Sequence, residues 1–207
     1  NTSFSSLKPN SSFNEEEPVI LEVDNLRHWY RLNSSLFNPL WNKALNQISF
    51  KLKKNETLGI VGISGSGKST LGRALVGIIK NRGGKIYMNI KNSEIEKNKK
   101  LAKAKNIQMI FQDPFSSLNP KMSIISILED IFSIHNPSST NMHNEIRHIL
   151  KMLNLPIENS FLDSYPRQLS GGQLQRISIA RVLLIRPKIL ICDESLNMLD
   201  AVVKFEI

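Results

Sequence analysis

The sequence predicts an α/β fold with a largely parallel sheet, and three observations support this prediction. Short apolar, β-branched runs alternate with segments of helical spacing along most of the chain. One of these runs, at residues 56–62, leads through a glycine-rich loop directly into a helical pattern. The segment between Pro114 and Tyr165 is mostly helical in spacing, which predicts a helical insertion into the α/β core.

Alternating strands come first in the chain, in the runs VILEVDNLRHWYRL from Val19 and NQISFKLKKN at 46–55. The run ETLGIVG then predicts a short buried strand, KSTLGRALVGII a helix, RGGKIYMNI a turn and a strand, and IQMIFQD another buried strand. Helical spacing follows in SIISILEDIFSI, NEIRHILKMLNL and GGQLQRISIARVLLI. The chain closes with a predicted strand at KILICDE and the start of a helix at AVVKFEI.

Composition excludes a wholly disordered chain, because 41% of the 207 residues are hydrophobic and 22% are charged. The net charge of +9 would suit nucleic acid, phosphates or an anionic membrane face. Much of the excess lies in the lysine-rich stretch 91–106, which we interpret first as solvated surface. The single cysteine, Cys192, excludes an intrachain disulfide, and its apolar surroundings predict a buried thiol.

The two ends of the chain carry little pattern. Residues 1–17 are rich in Ser, Asn and Glu and predict a disordered tail. No secretory signal pattern occurs, and no apolar run approaches the ~18 residues of a membrane helix, so we expect a protein that is cytosolic or attached to a membrane only through partners. The chain begins with Asn1 and ends without a capping signal, from which we expect missing sequence at both ends and a truncated C-terminus.

The loop GISGSGKST at 62–70 satisfies the pattern G-x-x-x-x-G-K-[ST] between a predicted strand and a predicted helix. Its glycines let the backbone wrap a phosphate, and its amides and the helix dipole supply positive potential. Lys68 would reach the β and γ phosphates of a nucleotide, and Ser69 would offer a hydroxyl to Mg²⁺. The predicted phosphate-binding residues are Gly62, Ser64, Gly65, Ser66, Gly67, Lys68, Ser69 and Thr70.

Acidic and amide side chains are predicted at the carboxyl edge of the same sheet, where ligands of open α/β sheets bind. Asp193 follows the run KILIC and could hold Mg²⁺ through water, and Glu194 could orient or deprotonate an attacking water. Gln112 ends another predicted strand and, taken alone, would be an ordinary loop residue.

A second arrangement typical of a phosphate-binding helix terminus occurs at Ser170, Gly171 and Gly172, immediately before a helical pattern. The chain resembles the nucleotide-binding domain of ABC transporters in the order of its motifs. These are the loop at 62–70 (the P-loop), FQDP, LSGGQLQR, ILICDE and LD at 199–200. The resemblance implies a P-loop NTPase (RecA-like) core with an antiparallel β edge. It implies a domain over 18–207, with 18–112 and 176–207 as the core, 113–175 as a helical subdomain carrying the signature motif, and the final part missing.

The resemblance also assigns roles residue by residue. Gln112 would be the Q-loop glutamine that senses Mg²⁺ and the attacking water and touches the membrane subunits. Glu194 would be the catalytic base, and Asp200 the D-loop aspartate that crosses to the partner. Tyr30 is similar in placement to the aromatic residue that stacks on adenine, with Trp29 or His28 as alternatives and a core aromatic as a further one.

The family arrangement explains why one chain would carry two phosphate-binding helix ends. The P-loop would hold the chain's own ATP, while Ser170, Gly171, Gly172 and Gln173 would complete the site of a facing subunit. Two ATP molecules would be clamped between head-to-tail protomers, and hydrolysis would let the dimer open.

The segment between Gln112 and Leu169 is long enough for a helical subdomain and far too short for a coiled-coil arm. The sequence in and around this segment, IQMIFQDPFSSLNP and YPRQLSGGQLQR, resembles that of ATP-binding subunits of the peptide and nickel importer family. The implied function is ATP hydrolysis coupled to uptake of peptides or nickel. The implied partners are a second ATPase subunit, two membrane permeases and an extracytoplasmic binding protein at the cytoplasmic face of a bacterial inner membrane, with no nucleic acid expected.

Two departures from the family leave alternatives open. The stretch DESLNMLD lacks the commoner Pro-Thr or Pro-Val, and all four histidines precede it, so the γ-phosphate histidine of the family is missing. We interpret these histidines as surface or helical residues and expect ATP binding with poor hydrolysis. An incomplete sequence or a decayed gene would explain this. The alternative functions are a non-transport ABC ATPase acting on nucleic acid, or a catalytically weak subunit of a heterodimeric ATPase pair.

Overall fold

A computed structural model describes residues 17–32, 40–89, 104–111, 113, 117–136 and 140–193, together with the backbone of Ser5–Leu7. Contacts divide the chain into two compact units, residues 1–97 and 98–207, and each is described by itself. The helix expected at 201–207 and most of the lysine-rich stretch lie outside the described residues. The division differs from the expected one because the strand Ile107–Ile110, expected in the core, contacts the strand Ile189–Cys192 and the helix Gly171–Ile185 of the second unit; the expected domain boundaries stay a prediction.

The first unit contains a three-stranded antiparallel sheet, the β edge that the sequence predicts. Its strands are β2 (Val19–Arg31), β3 (Trp41–Lys53) and β5 (Gly83–Met88), in the order β3-β2-β5. Leu21 and Val23 alternate with more exposed neighbours on β2 and bury one face of the sheet. β3 begins at Trp41, five residues before the run predicted at 46–55, because it pairs with β2 as far as Arg31.

The phosphate-loop segment forms the predicted strand–loop–helix unit. Strand β4 (Gly59–Val61) precedes the loop and helix α1 (Lys68–Val76) follows it. Leu71, Ala74 and Leu75 bury one face of α1. Gly77 ends the helix with a left-handed backbone at φ 86°, three residues before the sequence pattern predicts.

Strand β1 (Ser5–Leu7) lies within the segment predicted to be a disordered tail. Its backbone pairs antiparallel with β4, from Ser5 opposite Val61 to Leu7 opposite Gly59. These three residues carry no strand pattern of their own, and they can pair because β4 presents an open edge to them.

The second unit contains a parallel strand pair and a helical layer. Strands β6 (Ile107–Ile110) and β7 (Ile189–Cys192) run parallel in one continuous register, as the sequence predicts. The helices are α2 (Ile124–His135), α3 (Met142–Met152), α4 (Asn159–Leu162) and α5 (Gly171–Ile185), with a 3-10 turn at Pro166–Gln168. The predicted helical insertion is therefore present.

Helix α5 is the centre of this unit's core. Leu174, Ile177, Ile179 and Ala180 are fully buried, so the helix is covered on most of its circumference. It packs against α2 and α3, whose buried residues include Leu128, Phe132, Ile146 and Leu150.

Burial differs from prediction at three places. The strands β4 and β7 were expected to be buried, yet Val61 is 40% exposed and Cys192 is exposed. Among the described residues each of these strands pairs along one edge only, which leaves part of its surface uncovered. His28, expected at the surface or in a helix, is buried in β2, where its Nδ1 lies 3.0 Å from the carbonyl oxygen of Lys80.

Candidate functional site

The loop from Gly62 to Thr70 has the backbone shape that its glycines permit. Gly65 and Gly67 have φ values of 76° and 97°, in the left-handed region that favours glycine. A Cβ atom on Gly67 would lie 2.2 Å from the carbonyl oxygen of Ala44 on β3. Gly67 is therefore required both by its backbone angle and by the close approach of the neighbouring strand.

The side chain of Lys68 lies across this loop. Its ammonium nitrogen donates to the carbonyl oxygens of Gly62 at 2.8 Å and Ile63 at 3.1 Å, and the amide of Ser66 donates to Ile63 at 3.1 Å. The loop thus curves around a fixed positive charge. The hydroxyl of Ser66 is buried and has no hydrogen-bond partner among the described residues.

The N-terminus of α1 fits an anionic ligand. Its capping residue is Gly67, which offers no side-chain cap, and its first turn contains no acidic residue. The positive end of the helix dipole is therefore not offset by a carboxylate at this position. Ser69 and Thr70 place hydroxyl groups on the same turn, half-buried, while Ser64 is exposed on the loop.

Tyr30 shares a sheet face with the phosphate loop, and Trp29 lies on the opposite face. His28 pairs with Leu45, whose side chain lies 3.5 Å from the Cβ position of Gly67. The ring of Tyr30 contacts the ring of His28 edge-on at 4.7 Å, so both occupy this face. Trp29 instead lies under the ammonium group of Lys43.

Of the two residues on this face, Tyr30 is the one available to a ligand. His28 is buried, and its Nδ1 is 3.0 Å from the carbonyl oxygen of Lys80, just beyond α1. The side chain of Tyr30 is 37% exposed. The first unit thus brings the predicted adenine platform and the predicted phosphate loop to one face of the sheet.

Asp193 lies where the sequence predicts it, at the carboxyl edge of the parallel pair. It follows β7 directly, and its amide donates to the carbonyl oxygen of Ile110 at 3.2 Å, which continues the ladder with β6. The predicted site residues Gln112, Glu194 and Asp200 lie outside the described residues. The phosphate loop belongs to the first unit and Asp193 to the second.

A cavity of about 220 Å³ lies beside the end of β6, lined by Phe111, Ser117 and Arg181 among others. The guanidinium of Arg181 donates to the carbonyl oxygen of Ser117. Burial lowers the pKa of Arg181, and the nearby carboxylate of Asp130 partly opposes this effect. The hydroxyls of Ser117 and Ser178 lie 3.1 Å apart in the same wall.

The second predicted phosphate-binding terminus is the start of α5. Ser170 and Gln173 form a reciprocal capping box: the Ser170 hydroxyl accepts from the Gln173 amide at 3.3 Å, and the Gln173 side chain accepts from the Ser170 amide at 2.9 Å. Ser170 and Gly171 are exposed. A Cβ atom added to Gly171 or Gly172 would meet nothing within 4 Å, so the packing of the described residues does not require glycine there.

Sequence reasoning missed two contributors to these elements. The carbonyl of Ala44 supports the phosphate loop, and no sequence signal could identify it because the contact is made by backbone. Arg176, in the second turn of α5, donates to three carbonyl oxygens around the start of that helix. The sequence signal that could have found Arg176 is its place in the second turn of a predicted helix, six residues after Ser170.

Comparison with known proteins places these elements in a family. The fold is that of P-loop nucleotide-binding proteins. The chain is similar to the ATP-binding cassette MJ0796, whose structure is a dimer in a post-hydrolysis state bound to ADP and Pi. The two are 26% identical in sequence, with a TM-score of 0.71, and the match covers 90% of this chain and 79% of that one. The family model for the ABC transporter domain matches residues 45–197. The chain belongs to the ABC transporter family.

Curated relatives lie in the peptide-transport branch. The chain is 41% identical over 197 residues to the oligopeptide transport ATP-binding protein AppF of Bacillus subtilis, covering 92% of this chain and 59% of that protein. It is 38% identical over 196 residues to the dipeptide transport ATP-binding protein DppF of Haemophilus influenzae, covering 93% and 59%. The chain therefore spans about three fifths of the length of these relatives. Within the described ranges, none of the helices has the length and apolar character needed to cross a bilayer.

Proposed function

We propose that this chain is the ATP-binding subunit of an ABC importer that couples ATP binding and hydrolysis to uptake of peptides. The observation that carries the proposal is the start of α5: an exposed helix tip, closed by the Ser170–Gln173 capping box, whose two glycines leave open space in the described structure. Glycine favours a helix less than alanine does, and no packing contact of the described residues requires it here. Open space beside two adjacent backbone amides fits close approach by a group from outside the chain.

The chain's own nucleotide would bind in the first unit. Tyr30 would stack on adenine, and the residues from Gly62 to Thr70 would surround the phosphates. The curved loop, the uncapped start of α1 and the ammonium of Lys68 form a donor set that suits a triphosphate. Lys68 would hold its charge against the β and γ phosphates.

Mg²⁺ fits the oxygen donors that the family pattern supplies. Ser69 would offer its hydroxyl to the ion, Asp193 would contact the ion through water, and Gln112 would sense it, as the family pattern implies. The ion, when bound, neutralises charge on the phosphates. Glu194 would accept the proton of the attacking water, and Gln112 would orient that water.

The facing subunit's nucleotide would contact the tip of α5. Ser170 would present its hydroxyl, and the amides of Gly171 and Gly172 would face the γ-phosphate, while Gln173 would hold the tip in shape through its capping box with Ser170. Asp200 would reach across the same dimer interface to the facing subunit. Each chain would thus supply half of each of two sites, in a homodimer or with a paralogous ATPase.

The remaining partners and the location follow from the family branch. We infer that two permease subunits dock at the second unit, beside the Q-loop glutamine Gln112, and that the protein sits peripherally at the cytoplasmic face of a bacterial inner membrane. An extracytoplasmic binding protein would deliver cargo. The names of the relatives favour peptides over nickel as that cargo.

Replacing Glu194 by Ala tests the proposal. An active subunit loses ATP turnover and accumulates as an ATP-bound dimer, measured by phosphate release and by sedimentation of the same samples. Lys68→Ala, the control, loses ATP binding and does not dimerise. Unchanged turnover in Glu194→Ala would show instead a catalytically silent subunit of a heterodimeric pair.

The net charge of +9 favours one alternative, a non-transport ABC ATPase acting on nucleic acid. The short helical insertion opposes it, since the helices between β6 and α5 leave no room for a coiled-coil arm. Stimulation of the ATPase rate by DNA would support this alternative, whereas co-purification with membrane permeases supports import.

A further inference from the structure

Arg176 ties the tip of α5 to the end of α3. Its Nε donates to the carbonyl oxygen of Gly172 at 3.3 Å. Its Nη1 donates to the carbonyl oxygens of Leu153 at 3.4 Å and Asn154 at 3.1 Å, both just beyond the last turn of α3. One guanidinium therefore connects the glycine pair of the exposed tip to a second helix.

The geometry of the helix explains how Arg176 reaches both places. Helical side chains lean toward the N-terminus, so a residue lies over the turn four positions earlier, here Gly172. The residues that follow α3 are held in place by packing, because Leu153 is fully buried and Leu155 is 5% exposed. The amide of Leu155 also donates to the carbonyl oxygen of Leu150 at 2.9 Å. Asn154 makes that turn with a left-handed φ of 51°.

Arginine suits this set of contacts better than lysine does. Its planar guanidinium presents several N–H donors in a fixed fork, whereas lysine is a single flexible point charge. The carbonyls at the end of α3 also carry the negative end of that helix dipole, which favours a cation there. The orientation of Gly172 is thus coupled to a buried anchor rather than to its own helix alone.

A second arginine on α5 provides an internal comparison. Arg186, at the far end of the helix, pairs with Glu145 of α3 at 2.8 Å. This ion pair also joins α5 to α3, yet the Arg186 side chain is 70% exposed and lies away from the tip. The two arginines therefore link the same helices at opposite ends of α5.

We propose that Arg176 is a positioning residue for the ATP-bound dimer. It sets the direction in which Ser170, Gly171 and Gly172 face the partner's nucleotide. This inference rests on the proposed function. It predicts that loss of the guanidinium weakens ATP-dependent dimerisation while ATP binding by the chain's own phosphate loop is unchanged.

The test compares Arg176→Met and Arg176→Lys with Arg186→Met, all in the Glu194→Ala background of the whole chain. ATP affinity is measured with a fluorescent ATP analogue, dimerisation by sedimentation at saturating ATP, and the melting temperature by circular dichroism. Both Arg176 variants are expected to weaken dimerisation by about tenfold, the effect of losing charge-assisted hydrogen bonds. Arg186→Met should dimerise as the parent does, and ATP affinity should be equal in all four proteins.

Two results would overturn the inference. Dimerisation of Arg176→Lys equal to the parent would show that the three carbonyl contacts do not position the tip. An equal loss in Arg186→Met would show that general helix packing is responsible. A parallel Ser170→Arg variant separates this failure from failure of the proposed function: if it also dimerises normally, the nucleotide seam itself is absent.

Discussion

At the scale of single residues, the phosphate loop depends on a few backbone positions and one charge. Gly67 combines a left-handed φ with contact to Ala44, and Lys68 lies against two carbonyl oxygens of its own loop. The motif pattern predicted Gly67 and Lys68, because phosphate binding restricts the residue types at those positions. It could not choose between His28, Trp29 and Tyr30, since that choice depends on which face of β2 meets the loop.

Tyr30→Ala should weaken ATP binding by about tenfold, because base–aromatic stacking contributes about 1–3 kcal/mol. Tyr30→Phe should retain the affinity, since the ring face remains. The matched control is Tyr87→Ala, which removes another exposed tyrosine from the same sheet, on β5. Titration with a fluorescent ATP analogue checks all three. Loss of affinity in Trp29→Ala with none in Tyr30→Ala would transfer the adenine contact to the other face.

His135 predicts a pH dependence of stability. Burial, and to a smaller extent the charge of Lys105, lower its pKa below the usual 6.5, and its Nδ1 has no hydrogen-bond partner within the ranges that the structure describes. The unfolded chain then binds a proton more readily than the folded one, so this contribution to stability is complete above the unfolded pKa and is lost as pH falls below it.

The measurement is the free energy of unfolding by urea at about pH 7 and about pH 5. The parent should lose stability at the lower pH, and His135→Leu should lose less of it over the same interval. His148→Leu, at an exposed position on α3, serves as the control and should match the parent. An unchanged pH slope in His135→Leu would remove His135 from the account.

At the scale of elements, periodicity predicted most helices and strands, and pairing decided their ends. The parallel pair β6–β7 and the buried helix α5 agree with the sequence, because continuous apolar runs leave few alternatives. Sequence did not predict the irregularities of the β2–β3 ladder, where Asn25 adopts a φ of 51° and the register shifts. Those shifts depend on contacts between strands, such as the amide of Asn25 bonding the Ser49 hydroxyl at 2.8 Å.

The tip of α5 gives a prediction in which stability and function separate. Gly172→Ala should leave the melting temperature unchanged or raise it, since alanine favours a helix by up to about 1 kcal/mol and its Cβ meets nothing within 4 Å. The same change should weaken ATP-dependent dimerisation, because the methyl group would occupy space proposed for the partner's nucleotide.

Calorimetry and sedimentation on the same protein check both halves of this prediction. Gly67→Ala is the opposite case and should lower the melting temperature, because its Cβ would meet the Ala44 carbonyl at 2.2 Å. Normal dimerisation by Gly172→Ala would indicate that no external group approaches the tip closely.

At the scale of the whole molecule, each of the two units carries one of the surfaces that we propose to contact nucleotide. The phosphate loop and Tyr30 belong to residues 1–97, and the tip of α5 and Asp193 belong to residues 98–207. Order of motifs along the sequence predicted the family, which the match over residues 45–197 confirms. Cargo could not be predicted in the same way, because the residues that bind cargo belong to other subunits in the proposed importer.

The most direct test is sedimentation of the Glu194→Ala chain with and without ATP, beside the same chain carrying Ser170→Arg. We predict an ATP-dependent dimer for the first protein and a monomer for the second, with equal affinity of both for ATP. A Ser170→Arg protein that dimerises with ATP as its parent does would contradict the proposed binding of ATP between two subunits, on which the proposed function depends.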